Sequence, residues 1–223
     1  MATMAISLLL AYTILLIALC FSMFQDETSE NSSEIEVIDS EGPKLIPQSN
    51  TRFLSRRPPV STKYWVVAPD IVICNGSRVT VGRASRAMTF WRRLGYSFGE
   101  IIDNVQTGPC LGEMPRGQIV IDLIGQDFVE PNLAMTRTYF YTTTGEIVGA
   151  RIEMKATSAT KERVLEHEIG HALGWSHYNR RYHLMHEDWN HGGWDSYGLQ
   201  RRASIRQIEN HYDTLPTPVV YTD

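Results

Sequence analysis

Three histidines and a glycine in one short stretch constrain the fold of this chain more than any other feature. His167 and His171 are four residues apart, so on a helix they lie one turn apart on one face and can bind one metal ion together. Gly174 tolerates a positive φ, which lets the helix end in a sharp turn, and His177 can then return as a third ligand. Three protein ligands leave a fourth position open for water, which is typical of a catalytic zinc site.

Two further residues complete a longer motif. Glu168 directly follows the first histidine, and Met185 lies eight residues after the last one. The pattern His-Glu-x-x-His-x-x-Gly-x-x-His over residues 167–177, followed by this methionine, resembles the metzincin zinc endopeptidases. The resemblance implies that the three histidines bind one catalytic Zn²⁺. It also implies that Glu168 takes a proton from a zinc-activated water and delivers it to the leaving amine, while Met185 forms a turn beneath the metal.

The hydrophobic periodicity predicts a strand, a long helix, four strands and then the helix with the histidines. The predicted strands cover residues 64–74, 97–103, 117–124, 136–142 and 147–155, and the predicted helices cover 79–94, 160–173 and 204–212. This order is similar to the metzincin catalytic domain. We therefore expect an α+β fold with a twisted, mixed five-stranded sheet, an active-site helix and a C-terminal helix.

A protein or peptide is the substrate that the resemblance implies. In the family the substrate lies extended along the edge strand above the cleft, and the matching segment here is 136–142. Thr138, Tyr139 and Phe140 are the residues expected to contact it. Main-chain pairing there would give affinity with little sequence preference, so side-chain pockets would set specificity.

Some positions after the motif depart from the family. Tyr178 follows the third histidine, and Glu187 stands where some members carry a tyrosine two residues after the methionine. The subfamily therefore stays open. Three nearby histidines, His183, His186 and His191, could support the metal ligands or replace that tyrosine. Because no ligand spacing links them, we predict exposed loop residues instead.

Two further groups of side chains admit both a functional and a structural interpretation. Trp175, Trp189 and Trp194 could line a specificity pocket, but we favour ordinary packing around the turn. Five arginines lie mostly on the polar side of the predicted helix 79–94, and we expect a solvated face rather than an anion site. These are Arg78, Arg83, Arg86, Arg92 and Arg93.

The chain has three cysteines, of which Cys20 lies in the hydrophobic N-terminal run. Cys74 and Cys110 lie in the globular part and could form a disulfide in an exported domain. The alternatives are two unpaired thiols, or Cys110 as an inhibitory zinc ligand. Sequence alone does not supply the Cα separation that decides between them.

Residues 5–24 carry no charge and would extend about 30 Å as a helix, which is enough to cross a bilayer. Without a basic N-terminal flank or a small-x-small cleavage site, an uncleaved anchor is favoured over a signal peptide. We expect a single-pass membrane protein with an extracytoplasmic C-terminal part, or a secreted one if the segment is cleaved.

The predicted domains are the anchor 1–24, a disordered acidic and proline-containing linker or short pro-segment 25–62, the protease domain 63–215 and a tail 216–223. Net charge is −4, but residues 44–223 carry 21 basic and 18 acidic residues, so no nucleic-acid partner is expected. The predicted function is a membrane-tethered zinc metalloendopeptidase. The alternative is a catalytically silent metzincin-like binding or assembly module.

Overall fold

The computed structural model of the chain describes residues 35–44, 58–124 and 132–201. Within these ranges, no helix is long and apolar enough to cross a membrane. The hydrophobic segment 5–24, the helix predicted over 204–212 and the tail 216–223 lie outside the described residues.

The described residues form a mixed α/β fold with one six-stranded sheet and two α-helices. The strands are β1 Ile35–Glu41, β2 Asp70–Cys74, β3 Ile101–Val105, β4 Gln118–Leu123, β5 Ala134–Tyr141 and β6 Ile147–Met154; the helices are α1 Val81–Arg93 and α2 Val164–Ala172. The sheet order is β1-β5-β6-β4-β2-β3, with β5 antiparallel to both neighbours and the other pairs parallel. A short 3₁₀ helix, Gly108–Leu111, precedes β4.

The prediction of five strands is wrong because β1 adds a sixth. Its residues belong to the segment 25–62 that we expected to be a linker or pro-segment, yet Ile35–Glu41 pairs along its whole length with β5. The apolar pattern of β1 is weak, and Val37 is 46% exposed. Main-chain hydrogen bonds to β5 hold this strand, and such bonds leave no periodicity in the sequence.

Successive side chains along the central strands point to opposite faces of the sheet, so they form two separate clusters of buried residues. Ile71, Ile73, Ile119 and Ile121 belong to the main core, which also contains the buried apolar residues of both helices. Val72, Cys74 and Val120 form a second, smaller cluster, against which Cys110 packs.

The Cys74–Cys110 disulfide closes this small cluster, with a Cα–Cα distance of 5.6 Å. Of the three interpretations of these cysteines, the structure therefore selects the disulfide. A Cys110 sulfur bonded to Cys74 is not a metal ligand.

Helix α1 begins at a threonine cap, where the Arg83 amide donates to Thr80 Oγ1 at 3.2 Å. Its inner face buries Ala84, Ala87, Met88 and Trp91. Arg83 is also buried, so the expectation of a solvated arginine face is wrong at this position. Its guanidinium pairs with the Glu166 carboxylate on α2.

Every residue of α2 is buried, so the helix lies inside the core instead of on its surface. Indole N–H groups anchor both of its ends. Trp91 Nε1 donates to the Glu166 carbonyl at 2.9 Å, and Trp65 Nε1 donates to the Ala172 carbonyl at 2.8 Å. These contacts fix the helix that carries the first two candidate metal ligands.

Candidate metal centre

The turn after α2 brings the third histidine back toward the first two. Gly174 adopts a positive φ of 91°, and the Trp175 amide donates to the Gly170 carbonyl at 2.9 Å. This pairing ends the helix with a left-handed residue, as glycine at this position commonly does. His177 then faces His171 across the reversed chain.

The imidazoles of His167, His171 and His177 converge on one point. His171 Nε2 lies 3.0 Å from His167 Nε2 and 3.3 Å from His177 Nε2. Two nitrogens that bind one zinc ion at about 2.0–2.1 Å in tetrahedral geometry lie about 3.3 Å apart. The three histidines are therefore close enough to bind one metal ion.

Backbone carbonyls fix the orientation of two of these rings. His167 Nδ1 lies 2.8 Å from the Leu184 carbonyl, and His171 Nδ1 lies 2.7 Å from the Trp175 carbonyl. A carbonyl only accepts, so Nδ1 carries the proton in each ring, and Nε2 of the neutral imidazole presents a lone pair. Two lone pairs facing each other at 3.0 Å repel unless a cation lies between them. The donor set thus fits a metal ion.

Burial keeps the three imidazoles neutral, as metal binding requires. It holds the pKa of His167 well below the usual 6.5, lowers that of His171 to about 3, and lowers that of His177. The neighbouring imidazoles add to the effect at His167 and His171. The three imidazoles are therefore uncharged at neutral pH, and Nε2 of His167 and His171 is free of a proton.

Glu168 lies on the same helix and is fully buried. The Thr136 hydroxyl of β5 donates to its Oε2 at 2.6 Å, whereas Oε1 has no hydrogen-bond partner. Burial raises the pKa of this carboxyl to about 8, and the Thr136 hydrogen bond opposes the rise. A carboxyl of this kind can accept and release a proton near neutral pH.

The backbone of Gly42 covers Oε1 of Glu168, the carboxylate oxygen without a hydrogen-bond partner. A Cβ atom at Gly42 would lie 2.1 Å from Glu168 Oε1 and 2.5 Å from the Ala134 carbonyl oxygen. No residue with a side chain fits there in this arrangement. The sequence motif contains neither Thr136 nor Gly42, because neither lies near Glu168 in the chain.

Met185 packs against Gly170 of α2 and is fully buried. A Cβ atom at Gly170, which lies between those ligands in sequence, would be 2.4 Å from Met185 Sδ and 2.9 Å from Trp91 Cζ2. The Met185 carbonyl accepts a hydrogen bond from the Tyr178 amide at 2.7 Å. Met185 therefore supports the turn that carries His177, and its side chain leaves room only for glycine at position 170.

The prediction that all three later histidines are exposed is wrong. His183 and His186 are buried and His191 is half-buried. His183 Nδ1 accepts from the Met185 amide at 3.1 Å, while its Nε2 donates to the Tyr197 carbonyl at 3.1 Å. It therefore supports the methionine turn. His191 Nδ1 lies 2.5 Å from the Asp188 carboxylate.

The predicted substrate strand is not an open edge. Thr138, Tyr139 and Phe140 pair with Ile38, Val37 and Glu36 of β1. The main-chain groups expected to hold a substrate are therefore already paired. This correction follows from the position of β1, which the weak apolar pattern of residues 35–41 does not predict.

The three tryptophans lie in different surroundings. Trp175 belongs to the core and donates to the Tyr96 hydroxyl at 2.9 Å, Trp189 packs partly against that core, and Trp194 is 48% exposed. Glu187, at the position of the expected tyrosine, is held by Asn179, whose Nδ2 donates to Oε1 at 2.8 Å.

Comparison with models of protein families, with curated proteins and with solved structures found no match for this chain. The fold and the site define it as a mixed α/β protein with three converging histidines that can hold a metal ion. Evidence for its function therefore comes from the chemistry of the site.

Proposed function

We propose that the chain is a zinc-dependent metalloendopeptidase of the metzincin type, in which His167, His171 and His177 hold one Zn²⁺. The convergence of three uncharged imidazoles, with the buried Glu168 on the helix that carries the first two, supports this proposal most strongly. Three histidine ligands leave a coordination position open, which favours a catalytic over a structural ion. The order of the sheet, the histidine helix and the methionine turn also agrees with that family.

A bound Zn²⁺ would polarise the peptide carbonyl and make water a stronger nucleophile. Glu168 accepts the proton of the attacking water and passes it to the nitrogen of the leaving amine. Thr136 orients the carboxylate through its 2.6 Å hydrogen bond to Oε2, while Oε1 keeps its lone pairs free of hydrogen-bond partners. The carbonyls of Leu184 and Trp175 hold the imidazoles of His167 and His171 so that their Nε2 atoms would be available to a bound ion.

A peptide library analysed by mass spectrometry tests this proposal. The assay uses the zinc-loaded chain and a Gly42→Val variant. The valine side chain does not fit against Glu168, where Gly42 packs. We expect internal cleavage that chelation abolishes and that Glu168→Gln reduces by at least about a hundredfold. Cleavage that survives either treatment contradicts the proposal. Zinc binding without cleavage by either protein supports the competing silent module.

We also propose that residues 5–24 anchor the protein in a membrane with the catalytic part outside the cytoplasm. The Cys74–Cys110 disulfide supports an oxidising compartment for the folded part. Membrane fractionation of the full chain, with alkaline extraction, tests the anchor. Recovery of all of the protein in the soluble fraction would contradict the membrane anchor.

A further inference from the structure

A wide cleft of about 730 Å³ lies between the outer face of α1 and residues 160–166. Arg86, Phe90 and Arg93 line it, and their spacing of four and three residues places them on one face of the helix. Trp194 closes one side, with its ring centre 5.7 Å from that of Phe90. None of the three candidate metal ligands lines this cleft, so it is separate from the metal centre.

Two guanidinium groups in the cleft have no charged partner. The charges of Arg83 and Glu166 cancel, because these side chains pair with each other. Arg86 and Arg93 are exposed, and neither forms an ion pair with any residue that the structure describes. The cleft lining contains one exposed carboxylate, Glu162, and α1 contains no acidic residue at all. The surface therefore carries a net positive charge that is available to an anion.

Exposed aromatic rings adjoin these arginines. In the described part of the chain, the exposed Phe, Trp and Tyr side chains all lie in one loop region, 180–198. They are Tyr182, Trp194 and Tyr197, which are 59%, 48% and 45% exposed. The guanidinium of Arg181 lies 4.9 Å from the ring centre of Tyr182, and that of Arg180 lies 4.8 Å from the ring centre of Tyr197. Exposed aromatic and basic side chains thus occur together here, as they do at membrane–water interfaces.

We propose that this surface docks on an anionic phospholipid bilayer, with Trp194 in the headgroup layer and Arg86 and Arg93 against the lipid phosphate and carboxylate groups. Tryptophan and tyrosine rings concentrate at the headgroup level because one end is apolar and the other polar. Each basic residue close to an anionic bilayer strengthens the attraction about fivefold. Guanidinium groups also form paired hydrogen bonds with phosphate and carboxylate oxygens.

This inference goes beyond peptide hydrolysis and rests on the proposed membrane anchor. Only residues 25–34 connect the proposed anchor 5–24 to β1. A short connection keeps the folded part near the bilayer, so contacts that are weak individually are sufficient for docking. The anchor therefore favours a membrane over an acidic protein as the partner of this surface.

The full chain reconstituted in vesicles tests the proposal. One set of vesicles is phosphatidylcholine alone, and the other contains about 30% phosphatidylserine, which supplies the negative surface potential. Acrylamide, present on both sides of the bilayer, quenches the fluorescence of exposed indoles, and subtraction of a Trp194→Phe variant isolates the signal of Trp194. We expect the quenching constant of Trp194 to be at least about threefold lower in the phosphatidylserine vesicles.

Single arginine variants show whether the cleft is responsible. Arg86→Gln and Arg93→Gln should each weaken docking about fivefold, so quenching of Trp194 should return toward its value in phosphatidylcholine. Arg116→Gln removes the same charge at an exposed position outside the cleft, and it should leave quenching unchanged. Sodium chloride at about 0.5 M should screen the attraction and release the surface of the parent chain.

Equal quenching of Trp194 in the two kinds of vesicle would overturn the docking surface. Protection of Trp194 by soluble poly-L-glutamate but not by phosphatidylserine would also overturn it, because the arginines would then bind an acidic protein. Flotation of the same vesicles separates this inference from the anchor. A chain that floats only with phosphatidylserine supports the surface and contradicts the anchor, whereas a chain that floats with both vesicles without protection of Trp194 contradicts the surface alone.

Discussion

The guanidinium of Arg83 on α1 donates two hydrogen bonds of 2.6 Å to the carboxylate of Glu166 on α2. Both side chains are buried, and Glu166 directly precedes the first candidate metal ligand. This ion pair therefore connects the long helix to the histidine helix at the start of the site.

Replacing Arg83 with methionine should lower the free energy of unfolding by about 3–5 kcal/mol, because it leaves the Glu166 carboxylate buried without a partner. Urea denaturation measures the change. Arg86→Met, at an exposed position of the same helix, should change it by less than about 0.5 kcal/mol. The double variant Arg83→Met/Glu166→Leu should recover most of the loss, and a double variant as unstable as the single one would argue against the pair.

Glu168→Gln should stabilise the metal-free chain more at pH 8 than at pH 5. Burial raises the folded-state pKa of Glu168 to about 8 from 4.5, so the folded state keeps a proton that the unfolded state releases. The contribution of Glu168 to stability is thus lost as pH rises between these values, by about 1.4 kcal/mol per unit.

Chemical denaturation of both proteins from pH 4.5 to 9 measures this difference. Other titrating groups cancel in the comparison because the two chains differ at one position. The stability gap should widen with pH up to about 8 and then stay constant. A gap that does not depend on pH would contradict the buried state of the carboxyl.

Removing one ligand should weaken metal binding sharply. Replacing a residue that hydrogen-bonds to a metal ligand typically lowers metal affinity about 10–100-fold. Replacing His177 itself by glutamine should therefore lower zinc affinity at least about a hundredfold. Zinc titration against a chromophoric chelator measures the affinity. His191→Gln is the control, since its imidazole pairs with Asp188 and should leave zinc affinity unchanged. Equal losses in both variants would place the ion elsewhere.

The Cys74–Cys110 bond should stabilise the fold by reducing the conformational entropy of the unfolded chain. The two cysteines are separated by 36 residues in sequence, and cross-linking a loop of that length contributes about 3–4 kcal/mol. The double variant Cys74→Ala/Cys110→Ala should lose about that amount in guanidinium denaturation. Reduced wild-type protein should match the double variant, and unchanged stability in both would contradict the crosslink.

Local hydrophobic patterns were sufficient to predict several helices and strands. The central strands and both described helices lie near their predicted positions, although α2 begins at Val164 and the predicted helix began at residue 160. The convergence of the three histidines was also predictable. Helical spacing places the first two on one face, and a glycine with positive φ allows the third to return.

Other features depend on residues that are distant in the chain. The pairing of β1 with β5, the ion pair of Arg83 with Glu166 and the contact of Gly42 with Glu168 each join segments more than 80 residues apart. The hydrogen bonds of His183 to the Tyr197 carbonyl and the Met185 amide join residues nearer in the chain, but they lie outside the helices and strands. None of these contacts leaves a periodic signal near either partner.

The sequence was sufficient to predict that the three histidines converge, because backbone geometry dictates the spacing of residues on one helix and one turn. Long-range packing, in contrast, sets which surfaces around these histidines are exposed. The edge of β5 could pair with any extended strand, since main-chain hydrogen bonds do not depend on side chains, and residues 35–41 of the chain itself occupy it. Packing of Gly42 on Glu168 places the chain's own segment there.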